Sequence, residues 1–350
     1  MKKTLIAFAA LTAIAGAAQA QSTVTLYGIA DAYVGQKSTT VSGNKVKQTV
    51  IDSGGLNTSR FGLRGSEDLG AGLKAIFTLE SGLAVDSGLA NLNGGGLFSR
   101  QAFVGLSGNF GTAALGRQYT AYDALYTATN NSYDATYFST TYDTWASGVG
   151  LHTRRVSNSI SYASPSVSGF SGAIAFAAGE NKTATSSAAR NTSFHIKYAN
   201  GPVLVGYAYQ NEKATVGSSI ATLAPTLAAD SSDRTYNLFA GSYDFGVAKI
   251  TGGYNVAKQE NSAVAASNGK DKEYQLGVSA PFGAATVAAG YTRSKSDNSD
   301  RRATGYSLLG TYDLSKRTRL YAGGISEKFE GTAVTNTRAS GVVAGVRHAF

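Results

Sequence analysis

The chain has no cysteine, four prolines, one methionine and one tryptophan among 350 residues, and only 15% of its residues are charged. Lack of cysteine excludes a disulfide scaffold, a thiolate metal site and a cysteine nucleophile. Past the first twenty residues nothing approaches the roughly 18 apolar residues of a membrane-crossing helix. A formal charge of +9 suits an anionic partner, yet the 31 basic residues form no dense block, and nucleic acid would call for a basic stripe. What is abundant is glycine, at 42 residues, with 20 tyrosines and 15 phenylalanines. So many aromatic residues argue against intrinsic disorder.

The N-terminus has the layout of an export signal. Met1-Lys2-Lys3 is a short positive region, Thr4 to Ala17 an apolar core rich in small residues, and Ala18-Gln19-Ala20 a cleavage site. Cleavage after Ala20 leaves residues 21–350, and loss of Lys2 and Lys3 lowers the formal charge from +9 to +7. An exported chain without an apolar helix that resides in a membrane must cross it as strands.

Hydropathy alternates with period two, not 3.6. Val24, Leu26, Ala30, Ala32 and Val34 share one parity, and Thr25, Tyr27, Asp31 and Tyr33 the other. The pattern returns in Leu73-x-Ala75-x-Phe77-x-Leu79, in Val203-x-Val205-x-Tyr207-x-Tyr209, in Tyr274-x-Leu276-x-Val278 and in Val342-x-Ala344-x-Val346-x-His348-x-Phe350. No window gives an amphipathic helix.

Connections between these segments come in two lengths that alternate. Short ones fall at Glu67 to Gly72, Gly108 to Gly111, Ser164 to Ser168, Asn200 to Pro202, Asp244 to Gly246, Ala280 to Gly283 and Asp313 to Arg317. Longer polar ones lie near 36–57, 82–98, 119–153, 180–190, 211–233, 257–271, 295–301 and 327–338. Eight long and seven short connections require sixteen antiparallel strands. Pro165, Pro202 and Pro281 fall in short turns and Pro225 in a long loop, so none interrupts a strand. Such a pattern predicts an all-β, 16-stranded transmembrane barrel as a single domain over 21–350. Closure pairs every backbone group inside hydrocarbon, and sixteen strands leave a water-filled interior. A soluble sandwich, β-helix or adhesin would show similar periodicity, but Phe350, His348 and Val346 on one face of the last segment look like the terminal assembly signal of outer-membrane barrels.

Seven stretches in order then resemble the Gram-negative porins of β-proteobacterial type. They are Val24-Thr-Leu-Tyr-Gly28, the run from Ser59-Arg-Phe-Gly to Gly70, Ser99-Arg-Gln-Ala-Phe-Val-Gly-Leu-Ser107, Leu115-Gly-Arg-Gln-Tyr119, Asn158-Ser-Ile-x-Tyr162-x-Ser-Pro165, Leu314-Ser-Lys-Arg-Thr318 and Gly345-Val-Arg-His-x-Phe350. Each is little more than glycine and aromatic punctuation; the order from Val24 to Phe350 is what is specific. The resemblance implies a general-diffusion porin of the outer membrane. It further implies a homotrimer in contact with outer-membrane lipid and lipopolysaccharide, whose third extracellular loop, about 119–153, folds into the pore. Small hydrophilic solutes and inorganic ions would be its cargo, and no cofactor or metal is called for. A substrate-specific channel and a barrel-anchored surface binding or adhesion protein are the alternatives.

Parity places Arg60, Arg64, Lys74, Arg155, Lys197, Lys249, Arg319 and Arg347 on the inward face, against Asp31, Glu80 and Glu273. Eight basic groups against three acidic predict a mild anion preference. Through the matched stretches, Arg60, Arg100 and Arg155 are the expected basic cluster opposite the loop, with Arg64, Lys74 and Arg117 second. Parity does not settle Arg100 and Arg117, and of Arg154 and Arg155 only one is expected to face inward. The long loop carries six tyrosines and Trp145, too aromatic for disorder, and Asp123, Asp134 and Asp143 supply its negative charge. A basic wall facing a partly acidic loop would set a transverse field across the pore.

A barrel-borne hydrolase would need a nucleophile, a base and an orienting carboxylate together. His152, His195 and His348 are the only imidazoles, and the chain has no G-x-S-x-G, H-E-x-x-H or phosphate-cradle motif.

Overall fold

The computed structural model describes residues 23–90, 96–130, 137–184, 187–213, 233–260, 268–297, 300–331 and 336–350. The expected leader, 1–20, and Asp134 lie outside the described residues. The strands are β1 Thr23–Val41, β2 Asn44–Ser53, β3 Arg60–Gly70, β4 Leu73–Gly82, β5 Gln101–Gly108, β6 Gly111–Tyr119, β7 Arg155–Ala163, β8 Phe170–Ala178 and β9 Arg190–Asn200. They continue as β10 Val203–Lys213, β11 Asp233–Asp244, β12 Lys249–Glu260, β13 Gly269–Phe282, β14 Ala285–Ser296, β15 Arg302–Asp313, β16 Thr318–Glu330 and β17 Thr337–Ala349. Every neighbour is antiparallel, and β17 pairs back onto β1 from Ile29↔Ala349 to Val41↔Thr337.

Seventeen segments make sixteen staves, because β2 and β3 are two halves of one. The upper part of β1 pairs with β2 and its lower part with β3. Between the halves, 54–59 turns into the barrel. There the Asp31 carboxylate accepts from the backbone N–H of Gly55 at 3.1 Å, Leu56 at 2.9 Å and Asn57 at 2.7 Å, and from the Tyr321 hydroxyl at 2.5 Å. A fully buried carboxylate is tolerable only with such donors.

Three local expectations need correction. The stretch 36–57 is not a long polar loop. Its residues extend β1 and β2 into a hairpin closed at Ser42 and Gly43, both at positive φ as a primed hairpin turn requires. This ribbon is mostly polar, with Val46 and Ile51 exposed and Val50 packed toward Phe138 and Tyr33, so hydropathy does not mark it as strand. Pro281 is not in a turn either: it is the penultimate residue of β13, beyond Ser279, the last residue of β13 paired with β12, so its missing N–H is not needed on that side. The third is helical. Ala121–Ala128 forms a helix, α1, and Thr141–Thr144 a single turn, α2, followed by a 3₁₀ turn at Trp145–Ser147. The Thr120 hydroxyl caps α1 by accepting from the Asp123 N–H at 3.2 Å. Tyr122, Leu125 and Tyr126, at helical spacing, give α1 its buried face.

The barrel inverts the burial order of a soluble protein. On β13, Tyr274, Leu276 and Val278 are exposed on the outside, while Glu273 and Gln275 between them are buried within. Val24, Leu26, Leu115, Ile196, Leu308 and Val342 continue the outward apolar surface. Closure is completed by Phe350, whose backbone exchanges hydrogen bonds with Gly28 at 3.0 and 3.1 Å.

The main apolar clusters lie under the segment from 120 to 154, which joins β6 to β7 inside the barrel. Tyr122, Leu125, Tyr126, Trp145 and Val149 pack on Ala208, Tyr236, Leu238 and Ala257 of β10, β11 and β12. Phe138 packs with Tyr33, Leu56, Leu309, Tyr321 and Val343.

Candidate functional site

One inner wall, β3 to β7, carries Arg60, Arg64, Lys74, Arg100 and Arg155, while Lys197, Lys249, Arg319 and Arg347 lie on β9, β12, β16 and β17. Arg60 opens β3 opposite Ile29 of β1, on the inward parity, and its Nε donates to the Thr58 carbonyl at 3.1 Å. Glu80 of β4 accepts from the Tyr27 hydroxyl at 3.1 Å and from Arg100 Nε at 2.7 Å. Arg100 immediately precedes β5. Its backbone N–H is held by the Glu80 carbonyl at 3.1 Å, and outside the ladder its side chain escapes the alternation and turns in. Arg100 Nη2 also donates to the Tyr119 hydroxyl at 2.9 Å. Arg155 opens β7 opposite Tyr119, donates to the same hydroxyl, and holds its guanidinium carbon 4.2 Å from the ring centroid. Arg155 Nε is buried without a hydrogen-bond partner among the described residues.

The second group of basic residues is more dispersed. Arg64 lies four residues below Arg60, its guanidinium 5.1 Å from the Tyr27 ring. Lys74 follows the short turn at 71–72, six residues or roughly 20 Å along the strand from Glu80. Arg117 pairs with Ala102 on the outward parity beside the register shift at Gly116/Gln118, and its guanidinium binds the Ser99 carbonyl at 2.6 Å and the Ser157 hydroxyl at 3.1 Å. It clasps the strand ends.

The loop lies against the opposite wall. The Ala121 N–H donates to Ser193 Oγ at 3.0 Å, Tyr122 Oη to Asn255 Oδ1 at 2.9 Å, and Gln275 Nε2 to the Thr129 carbonyl at 3.0 Å. Thr140 and Thr144 bond Thr292, the Val149 N–H donates to Asp271, and the Thr153 N–H to Glu212. At its far side the Tyr137 N–H donates to the Gly55 carbonyl at 3.1 Å, inside the break between β2 and β3. The loop therefore spans the lumen, backed by β9 to β15 and facing β3 to β7.

Its carboxylates differ in setting. Asp123 is buried, and its Oδ1 accepts from Arg154 Nε at 2.5 Å and lies 3.1 Å from His152 Nε2. Burial alone would raise this carboxyl, but Arg154 and His152 outweigh burial and hold it well below the usual carboxylate range. Arg154 is lifted above the ordinary guanidinium value by the same pair, although burial opposes it. Asp143, on α2, is exposed, unlike Asp123.

The expectation that only one of Arg154 and Arg155 faces inward assumes two strand neighbours, and alternation does not choose between them because only Arg155 belongs to the strand. Arg154 is the last loop residue, and both guanidinium groups reach the Tyr119 ring, at 5.9 and 4.2 Å. The register also adds Glu212, Asp271 and Glu327 to the inward acids. Each lies in a strand end that hydropathy assigns to a loop, and Glu212 and Asp271 bind the 120–154 segment. Tyr119 as the junction of two arginines had no signal beyond its inclusion among the loop tyrosines.

His152 is sealed among aromatic rings, 4.4 Å from the Tyr122 centroid and 4.8 Å from that of Tyr126. Among the described residues no group of three His, Asp or Glu is placed to hold a metal ion.

A closed antiparallel barrel with an apolar outside, a polar inside and a loop across its lumen is the architecture of an outer-membrane channel. The chain belongs to the Gram-negative porin family, whose description matches residues 7–332. It is 35% identical to outer membrane porin protein 32 of Delftia acidovorans and 33% identical to an outer membrane porin protein of Bordetella pertussis, each alignment covering both chains in full. Among solved structures it is similar to the anion-selective porin from Comamonas acidovorans, with 30% identity, a TM-score of 0.79, and coverage of 94% of this chain and 100% of that one. Likeness to OmpT of Vibrio cholerae, 16% identical with a TM-score of 0.68 over 94% of this chain and 98% of the other, concerns the fold alone.

Proposed function

We propose that this porin passes small hydrophilic solutes and inorganic ions by passive diffusion with a mild preference for anions, and that Arg60, Arg100 and Arg155 form its selective wall. The carrying observation is the imbalance across the narrow section. Arg60, Arg100 and Arg155 stand along one wall where Glu80 pairs with Arg100, while on the loop Asp123 is engaged with Arg154. Arg155 itself is held against Tyr119, 4.2 Å from the ring centroid, and faces the loop without a carboxylate partner among the described residues. Arg64 and Lys74 would extend the basic track toward the short-turn end, and Arg117 would add charge at the rim. Between low-dielectric walls such charges act along the whole pore. The relative from Comamonas acidovorans, described as anion-selective, supports the same reading.

In this reading 1–20 is a cleaved signal peptide and 21–350 a single barrel domain. The segment expected at 119–153 is the constriction loop, with Asp123, Asp143 and Asp134 as its acids. Phe350, His348 and Val346 serve as the assembly signal. The channel works as a homotrimer whose outer surface meets lipopolysaccharide. Planar-bilayer recording tests the pore: stepwise ohmic conductance is expected, with a zero-current potential of anion-selective sign across a salt gradient. A cation-selective potential refutes the anion preference.

A further inference from the structure

The outward face of β13 and β14 is graded in chemistry from one end to the other. Starting at the long-connection end, the register pairs Lys272 with Lys295, Tyr274 with Arg293, Leu276 with Tyr291, Val278 with Ala289 and Phe282 with Ala285. Tyr274 to Phe282 is eight residues, roughly 27 Å of strand at 3.4 Å per residue. With the usual tilt of about 40° that length rises roughly 21 Å, most of the roughly 25 Å apolar band of an outer-membrane barrel, which aromatic residues bound at both interfaces. Rings continue the upper girdle sideways: Tyr254 lies 5.0 Å from Tyr274, and Tyr306 lies 5.3 Å from Tyr291.

The basic groups stand at and just above this girdle. A cation facing hydrocarbon is costly at mid-bilayer and nearly free at the interface, so their level is that of lipid headgroups. Here the surface is indented by a recess of about 520 Å³ lined by Lys272, Tyr274, Tyr291, Arg293, Lys295 and Asp297. Lys272 is paired with Asp297 at 3.2 Å. Arg293 and Lys295 are exposed and make no ion pair among the described residues. The other end of the same face closes on Phe282 and Ala285 without a charge. Only the long-connection side is therefore prepared for anions, and it faces the outer leaflet.

We propose that Lys272, Arg293 and Lys295, above Tyr274 and Tyr291, form a site for a phosphate group on the sugar headgroup of the glycolipid in that leaflet. The proposal rests on the reading that the outer surface meets lipopolysaccharide, and it assigns that contact to one place. The Arg293 fork suits two phosphate oxygens at once, and Lys295 adds a mobile point charge. Tyr274 and Tyr291 offer hydroxyls at the same level, while Leu276 and Val278 below meet the acyl chains.

The test is titration of purified, detergent-solubilised porin with bisphosphorylated lipid A, with bound lipid counted by native mass spectrometry. Wild type is expected to retain the lipid, and Arg293→Ser with Lys295→Ser to weaken it roughly twentyfold, from about fivefold per basic residue at a membrane surface. Fully dephosphorylated lipid A should bind wild type as weakly as the phosphorylated lipid binds the variant. Inorganic phosphate at equal concentration should not displace the lipid; displacement would assign the site to free phosphate and overturn the lipid proposal. Equal retention by wild type and variant overturns the site while leaving lipid contact standing. Failure of wild type to bind lipid A at all overturns the lipopolysaccharide reading itself. Both side chains point away from the pore, so unchanged single-channel conductance certifies the variant as folded. If the double variant does not assemble, Lys295→Gln alone must still show about a fivefold loss, and its absence refutes the site.

Discussion

Arg100 and Glu80 form an ion pair 2.7 Å long in which both side chains are nearly sealed, 3% and 4% exposed. The pair sits between Tyr27 and Tyr119, so this carboxylate is held in place by a phenol and a guanidinium. Glu80→Gln removes the negative charge but keeps an acceptor. Breaking a buried pair by neutralising one member costs about 3–5 kcal/mol, so a lower unfolding temperature is expected. In a bilayer, the zero-current potential should move further toward anion selectivity. A move toward cations would mean that Glu80 does not oppose the arginines electrostatically.

Position along the pore should matter as much as charge. Arg155 shares its hydroxyl acceptor with Arg100 opposite the loop, whereas Lys74 lies roughly 20 Å of strand away from Glu80, near the short turn. Arg155→Asp should sharply reduce the anion-to-cation permeability ratio. Lys74→Asp, an equal change of two charges, should alter it much less, because a charge more than about a Debye length from the narrow section is largely screened near 0.1 M salt. Equal shifts in the two variants would show that the narrow section is not where ions are sorted.

How far the residues announce this architecture depends on the position relative to the membrane. Within the lipid band the alternation of Tyr274-x-Leu276-x-Val278 is enforced by two solvents, and parity placed Asp31, Glu80 and Glu273 inside as the register has them. Outside the band the constraint lapses. The β1–β2 hairpin is mostly polar, so its strands read as loop, and Glu212, Asp271 and Glu327 lie in other strand ends that read the same way. The wall also shows parity failing for a local reason. Arg100 lies one residue before its ladder, and Arg117 beside a register shift at Gly116/Gln118, so neither obeys its neighbours' phase. The helix α1 was legible in principle from Tyr122, Leu125 and Tyr126, but its polar partners come from strands more than seventy residues away in sequence.

Barrel closure has its own steric condition at Gly28. A Cβ there would lie 2.3 Å from Phe350 Cζ and 2.7 Å from the Arg60 carbonyl oxygen. The ring could rotate away; the backbone oxygen could not without shifting the β1–β3 ladder. Gly28→Ala should therefore cost roughly 1–3 kcal/mol, as overpacked sites do, and lower the yield of folded barrel. Heat-modifiable migration in gels measures the folded fraction. Wild-type yield from Gly28→Ala would show that the Phe350 end is not packed against Gly28 during closure.

The anchor of the loop has a definite pH signature. Asp123 is held below the usual carboxylate range in the folded barrel, so the unfolded chain binds its proton first as pH falls. The stabilisation is then fully present above the ordinary value of about 3.9 and is lost as pH drops from there toward the depressed native value. Asp123→Asn removes it at every pH. Arg154 is 18% exposed and keeps some solvation when its partner is neutralised, which sets the expected cost near the lower end for buried pairs, about 3 kcal/mol. The measurement is unfolding of refolded wild type and variant in detergent between pH 8 and pH 2. The difference between them should stay constant down to about pH 4 and narrow below it. A difference that vanishes between pH 7 and pH 5 would place the linkage on another group, and one that persists undiminished at pH 2 would show that Asp123 anchors the loop without its charge.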